Sequence, residues 1–212
     1  MPSMDPKRIV AEGYDRIAKE YLRWRERTAK EPITAYLDRV TEGLASGARV
    51  LDLGCGAGVP YTAYLSERFD AVGVDISRGQ LALAHDLVPR ATFLLADMSS
   101  LAFKPASFDG IVALYSIIHV PKEEHEPLLR RLYDFLRPGR RLLAVLGAQA
   151  WEGRESDWLV PGAEMYWSHY GPYDYITMAE RVGLLVLATS VEPDPIDGAH
   201  LFLLAEKPEH TG

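Results

Sequence analysis

The stretch V-L-D-L-G-C-G-A-G-V-P, residues 50–60, sets Gly54, Gly56 and Gly58 within five positions directly behind an apolar run. Glycine loses more backbone freedom on ordering than any other residue, so such a run belongs where the chain must turn tightly or approach something closely. It stands at the first of a series of junctions. Apolar runs over 49–53, 71–74, 92–95, 110–114 and 141–146 read as short buried strands. Helical spacing fills the gaps over 61–68, from a cap at Ser77 to about Leu87, and over 122–136, where Pro138-Gly139 stops the helix. Strands alternating with helices pair in parallel and carry helices on both faces. Two more strands, 184–191 and 200–206, are joined by E-P-D-P-I-D-G-A, too short for a parallel crossover, so they pair antiparallel. The expectation is an α/β fold: a Rossmann-like three-layer sandwich with a seven-stranded, mostly parallel sheet whose seventh strand is antiparallel and lies near an edge.

Ahead of the sheet, residues 7–28 read as a helix with Tyr14, Ile17, Tyr21 and Trp24 at helical spacing. Pro32 opens a second helix to about Leu44, ended by Ser46-Gly47. Residues 1–46 are expected to form an N-terminal helical cap on a domain spanning 47–212, the two making one compact unit. Residues 147–171 read as irregular. Pro172 opens a helix to Val182, which Gly183 ends. There is no internal repeat and no low-complexity tract.

Thirty acidic and 23 basic residues leave a net charge of −7, which disfavours a nucleic-acid partner. The basic cluster Arg130, Arg131, Arg137, Arg140 and Arg141 reads as a solvated helix face and loop. No apolar run approaches the 18 or more residues of a membrane span. The opening M-P-S-M-D-P-K-R-I-V lacks a signal core. The single cysteine, Cys55, excludes an internal disulfide framework and a cysteine zinc site, and no histidine–carboxylate spacing suggests a metal. A cytoplasmic protein without metal or membrane partner is expected.

In open α/β sheets ligands bind at the carboxyl ends of the strands, where the glycines fall. A dinucleotide fingerprint needs a sixth-position glycine, and counting from Gly54 that position is Val59. No Gly-Lys pair follows to make a phosphate loop. Asp52 would set an anion beside phosphates but suits an ammonium group. Asp75, ending the second strand, is placed to accept ribose hydroxyls. Asp97 ends the third strand and precedes Met98. The pattern asks for a ribose and a cationic end without phosphates, which describes S-adenosylmethionine.

The runs D-L-G-C-G-A-G-V, V-G-V-D-I-S, L-A-D-M-S-S-L and F-D-G-I-V-A-L-Y-S-I-I-H-V resemble the class I S-adenosylmethionine-dependent methyltransferases, in their small-molecule, type 11-like branch. Y-D-R-I-A-K-E-Y is similar to that branch's N-terminal helix. The resemblance implies an enzyme that moves a methyl group from S-adenosylmethionine to O, N or C of a small-molecule acceptor, leaving S-adenosylhomocysteine. It implies that Asp52, Gly54, Cys55, Gly56 and Gly58 line the methionine end, with Asp52 acting on the ammonium. Asp75 would hold the ribose with Ile76 beside it. Asp97 would accept from the adenine amino group and Met98 pack on the ring, while Leu114 and Tyr115 form the floor near the sulfonium. Tyr14 and Tyr21 would cover the cofactor, or simply pack an amphipathic helix. The alternatives are a nicotinamide-dependent oxidoreductase and a regulatory protein that keeps the cofactor fold without turnover.

Holding nucleophile and methyl carbon in line contributes about 7–11 kcal/mol. A general base adds only about 10²–10⁴-fold. Positioning therefore outweighs acid–base chemistry. His119, just after the fourth strand, is a candidate base or substrate orienter, or a brace for the loop before Pro121. His169 lies in M-Y-W-S-H-Y, where Tyr166, Trp167 and His169 either touch substrate or bury an irregular loop. His85 and His125 are expected on helix surfaces, His200 and His210 as structural and tail residues. The aromatics between Trp151 and Tyr175 suit a flat or apolar acceptor, or a cation through cation–π contact, or they fill a core.

Overall fold

The computed structural model describes residues 5–28, 33–194 and 198–209. Pro32 and His210 lie outside the described residues. Helix α1 (Pro6–Thr28) and helix α2 (Ile33–Thr41) precede strand β1 (Arg49–Leu53). Then follow α3 (Tyr61–Ser66), β2 (Asp70–Asp75), α4 (Arg78–Leu87), β3 (Thr92–Leu95), β4 (Phe108–Leu114), α5 (His125–Phe135) and β5 (Leu136–Gly147). The chain closes with β6 (Trp151–Ser156), β7 (Glu164–His169), α6 (Pro172–Arg181), β8 (Leu185–Asp194) and β9 (Gly198–Glu206).

Seven strands form one sheet in the order β3-β2-β1-β4-β5-β9-β8. All pairings from β3 to β5 are parallel, and β9 runs antiparallel to both β5 and β8. The central strands β1, β2 and β4 are nearly continuous apolar runs because both faces are covered, whereas the edge strands β3 and β8 leave Leu94, Leu95, Leu185 and Val191 exposed. Successive residues point to opposite sides. Leu51, Leu53, Ile111 and Ala113 pack with α5 and α6, whereas Val50, Val112, Leu114 and Val145 pack with α2 and Leu65 of α3. Ser77 caps α4, its hydroxyl accepting from the Gln80 amide at 3.1 Å. The order reverses between β1 and β4, so the β1 tip opens onto the crevice where such sheets bind ligands.

Residues 147–171 are not irregular throughout. Strands β6 and β7 pair antiparallel as a separate two-stranded sheet, from Trp151–His169 to Ser156–Glu164. The W-E-G-R-E-S of β6 shows no apolar alternation because nearly all of it faces solvent. Its order comes from β7, whose Met165 and Tyr166 are buried against Ile9, Val10 and Ile17 of α1. The segment 122–136 divides into a 3₁₀ turn, Lys122–Glu124, and α5. Pro138, three residues past the end of α5, sits inside the start of β5, at a register shift where a missing amide is tolerated. Helix α2 stops at Thr41, with Gly43 at φ +72° in the turn that follows. Among the described residues no helix is long and apolar enough to cross a membrane.

Candidate functional site

The glycine loop leaves the tip of β1 and is tied to its neighbour: the amides of Gly54 and Cys55 both donate to the Val74 carbonyl, at 2.7 and 3.1 Å. Gly54 has φ +72°, and a Cβ there would lie 2.2 Å from Cβ of Ser116. Ser116 holds that place by donating its hydroxyl to the Leu53 carbonyl at 2.6 Å. Gly58 answers a different need. A Cβ on it would meet Val88 at 3.0 Å and Phe93 at 3.3 Å, so its bareness lets α4 and β3 close in, and it is not on the cavity wall.

The cavity at the strand tips spans about 650 Å³, the open space at its mouth included. Gly54, Gly56, Asp75, Ile76, Asp97 and Met98 wall one side, Leu114 and Tyr115 lie on the β4 side, and Tyr14 and Tyr21 of α1 close it. Cys55 lines an adjoining recess and packs towards the cluster around Phe93; burial pushes its thiol well up. Asp75 accepts from the Gly56 amide at 2.9 Å and the Ser77 amide at 2.8 Å. Burial nevertheless pushes its carboxyl up to about 6. Asp52 lies one layer below, outside the cavity wall, accepting from Thr62 Oγ1 at 2.6 Å. Burial, reinforced by the charge of Asp75, raises it to about 6 as well.

Asp97 is already engaged. Its Oδ1 accepts from the amide and hydroxyl of Ser99, at 2.9 and 2.7 Å, and Oδ2 pairs with Lys7 Nζ at 3.0 Å. Burial opposes its charge, yet Ser99 and Lys7 hold its carboxyl below the usual carboxylate range. Lys7 also donates to Glu124 at 2.6 Å, fastening the start of α1 across the cavity mouth.

Among the polar residues, sequence reasoning missed Lys7, Gln80 and Ser116 of the cavity and Arg25 of the adjoining recess. Gln80 is buried, and neither amide atom has a partner among the described residues. Arg25 follows Tyr14 and Tyr21 on one helical stripe, a spacing that could have revealed it. Its guanidinium donates to the Tyr61 hydroxyl at 2.8 Å and lies over the rings of Tyr61 and Tyr115. It has no carboxylate partner among the described residues. Gln80 carries no signal in the sequence beyond sitting three residues after the cap.

Tyr14, Tyr21, Tyr115 and His119 also wall a second, aromatic chamber, shared with Trp24, Trp158 and Trp167. His119 Nδ1 lies 2.8 Å from the Tyr166 carbonyl and Nε2 lies 2.9 Å from the Tyr14 hydroxyl. A carbonyl only accepts, so Nδ1 carries the proton and Nε2 accepts from Tyr14. Burial pushes the imidazole down to about 4, leaving it neutral.

Of M-Y-W-S-H-Y, Trp167 faces the chamber and His169 an outer groove, where its Nδ1 donates to the Gln149 carbonyl at 2.5 Å. The Tyr166 ring turns away into the α1 contact and donates to Glu152 at 2.9 Å; only its carbonyl reaches the site. This is the inward–outward alternation of a strand, which an irregular loop does not impose. His125 is not a surface residue. It is fully buried, donating from Nε2 to the Val120 carbonyl at 2.8 Å and accepting from Tyr175 at 3.0 Å, and burial pushes it down to about 4. His85 is exposed, and His200 is buried edge-on against Tyr115.

Residues 50–139 match a family described as "Methyltransferase domain". The chain is 35% identical over 160 residues to "Methyltransferase GfsG" of Streptomyces halstedii, covering 64% of this chain and 56% of that protein. It is 39% identical over 133 residues to a trans-aconitate 2-methyltransferase of Variovorax paradoxus, covering 61% and 47%. The chain thus spans about half the length of these curated relatives. Among solved structures, the fold is shared with Burkholderia thailandensis 1,6-didemethyltoxoflavin-N1-methyltransferase, solved with 1,6-didemethyltoxoflavin and S-adenosylhomocysteine bound. The TM-score is 0.71 at 19% identity, over 98% of this chain and 92% of that one.

Proposed function

We propose, for a chain that belongs to the class I S-adenosylmethionine-dependent methyltransferases, that it carries a methyl group to a small-molecule acceptor at O, N or C. The observation that carries this reading is the junction of two cavities. A polar one at the strand tips meets an aromatic one across Tyr14, Tyr21, Tyr115 and His119.

The residues fit the nucleoside. Gln80 is a buried amide whose donor and acceptor both lack a partner among the described residues, and it stands on the same wall as Asp75. A ribose hydroxyl both donates and accepts, so the pair would hold the ribose, with Ile76 beside it. Asp97 and Met98 would face the adenine. Arg25, a cation beside Gly54, Cys55 and Gly56 without a carboxylate of its own, would hold the carboxylate of the amino-acid tail. Asp52 would favour the ammonium from beneath the loop. S-adenosylmethionine, when bound, supplies a methyl carbon made electrophilic by its sulfonium.

The chain's own task is then to orient and to exclude water. Leu114 and Tyr115 form the floor, and α1 acts as a cap through Tyr14 and Tyr21. Trp24, Trp158 and Trp167 hold the acceptor flat against the junction, where alignment contributes about 7–11 kcal/mol. His119, neutral and with its lone pair at Nε2, orients the acceptor by accepting a hydrogen bond from it when the Tyr14 hydroxyl swings aside; burial, which disfavours the imidazolium, makes it a weak base. The acidic charge and the single cysteine support small molecules in the cytoplasm, without nucleic acid, as the setting. Val59 in place of the fingerprint glycine speaks against a nicotinamide cofactor.

Calorimetry tests the reading. S-adenosylhomocysteine should bind the wild-type chain, and Asp75→Ala should weaken it strongly while the fold persists. Binding of NAD(H) in preference to S-adenosylhomocysteine would reverse the assignment.

A further inference from the structure

Beyond the aromatic chamber lies an open groove spanning about 1080 Å³, solvent at its mouth included, which shares Ile118, Trp167 and His200 with it. One wall is strand β6. Trp151, Gly153 and Glu155 point to the same side of that strand. The Trp151 indole lies across Gly153, where a Cβ would sit 2.8 Å from the indole Cζ2. Trp151 therefore forms a flat shelf, 45% exposed, with the His169 ring 6.3 Å away. The polar side chains lining the groove are those of Gln149, Glu155, Trp167, His169 and His200. Glu155 and the Gln149 side chain pair with no described residue. Burial lowers His169 and keeps it neutral, and its Nε2 carries the lone pair because Nδ1 donates to Gln149. Among the described residues no lysine or arginine lines the groove.

The geometry points to an uncharged, hydroxyl-bearing ring, such as the sugar or polyol ring of a larger acceptor, as the occupant of this groove. The inference rests on the methyl-transfer reading, since the groove continues the acceptor chamber. The apolar face of such a ring packs on the indole. Its hydroxyls donate to Glu155, His169 Nε2 and the Gln149 amide oxygen. An anionic group would meet the Glu155 charge with no cation to offset it.

Phenyl β-D-glucopyranoside and phenyl phosphate serve as matched probes, titrated by saturation-transfer NMR and tryptophan fluorescence with and without S-adenosylhomocysteine. The glucoside should bind and the phosphate should not. Trp151→Ala should weaken glucoside binding about three- to tenfold. It should leave S-adenosylhomocysteine affinity unchanged, because Trp151 lies outside the cofactor cavity. Glu155→Arg should admit phenyl phosphate. The inference is overturned if the glucoside fails to bind, if phenyl phosphate binds as tightly, or if Trp151→Ala leaves glucoside binding unchanged. Failure of S-adenosylhomocysteine to bind the wild-type chain would instead overturn the cofactor reading, and glucoside binding without it would still judge the groove.

Discussion

The Tyr14 hydroxyl stands 2.9 Å from Nε2 of His119, joining the N-terminal helix to the loop after β4 at the point where two cavities meet. The Tyr166 carbonyl, holding the opposite ring nitrogen, leaves one arrangement of protons: Nδ1 protonated and Nε2 accepting. Long-range ¹H–¹⁵N NMR should find this neutral tautomer from pH 5 to 8. Tyr14→Phe would strand Nε2 without a donor and destabilise the fold by about 1–3 kcal/mol in urea. An Nε2–H tautomer would contradict the arrangement.

The proposed ribose contact at Asp75 should make cofactor affinity depend on pH. Its carboxyl, raised by burial to about 6, is partly protonated in mild acid. Ribose hydroxyls donate best to the ionised form, so affinity for S-adenosylhomocysteine should rise with pH up to about 6 and level off above. Asp75→Asn should bind weakly and flatten the curve. A wild-type affinity constant from pH 5 to 8 would sink the assignment.

Stability carries the opposite signs together. Asp52 and Asp75 are raised above their usual value, so the unliganded fold loses stability as pH climbs from about 4 to about 6. His119 and His125 are depressed to about 4, so their contribution is intact above the usual histidine value and is lost as pH falls towards 4. The terms oppose one another in one window. Asp75→Asn removes one carboxylate term, and its urea stability should fall more steeply than wild type between pH 6.5 and 4.

Gln80→Leu should leave unliganded stability unchanged or raised, because a buried amide without partners is itself unfavourable. Affinity for S-adenosylhomocysteine should fall about tenfold or more. Equal affinity by calorimetry would remove Gln80 from the site.

Gly54→Ala sets a methyl group 2.2 Å from Ser116 Cβ and should abolish cofactor binding. Adding Ser116→Gly removes the clash and leaves only the left-handed backbone, worth about 1–2 kcal/mol. Partial recovery in the double variant, read by thermal shift with S-adenosylhomocysteine, is the expected result; none at all would mean the loop fails for another reason.

The parallel sheet, its reversed strand and the carboxylates Asp75 and Asp97 at strand tips were legible in the amino-acid sequence. Fully covered strands are continuous apolar runs, turns demand glycine and proline, and each of these signals is local. The β6–β7 hairpin was not legible, because β6 is solvated and takes its order from β7 packed on α1. Nor was the burial of His125, which depends on Tyr175 fifty residues away. Gln80, Arg25, the Lys7 fastening and the Tyr14–His119 contact were also decided in three dimensions. Each owes its place to groups far apart in the chain, whose desolvation and pairing do not exist until the helices close over the sheet.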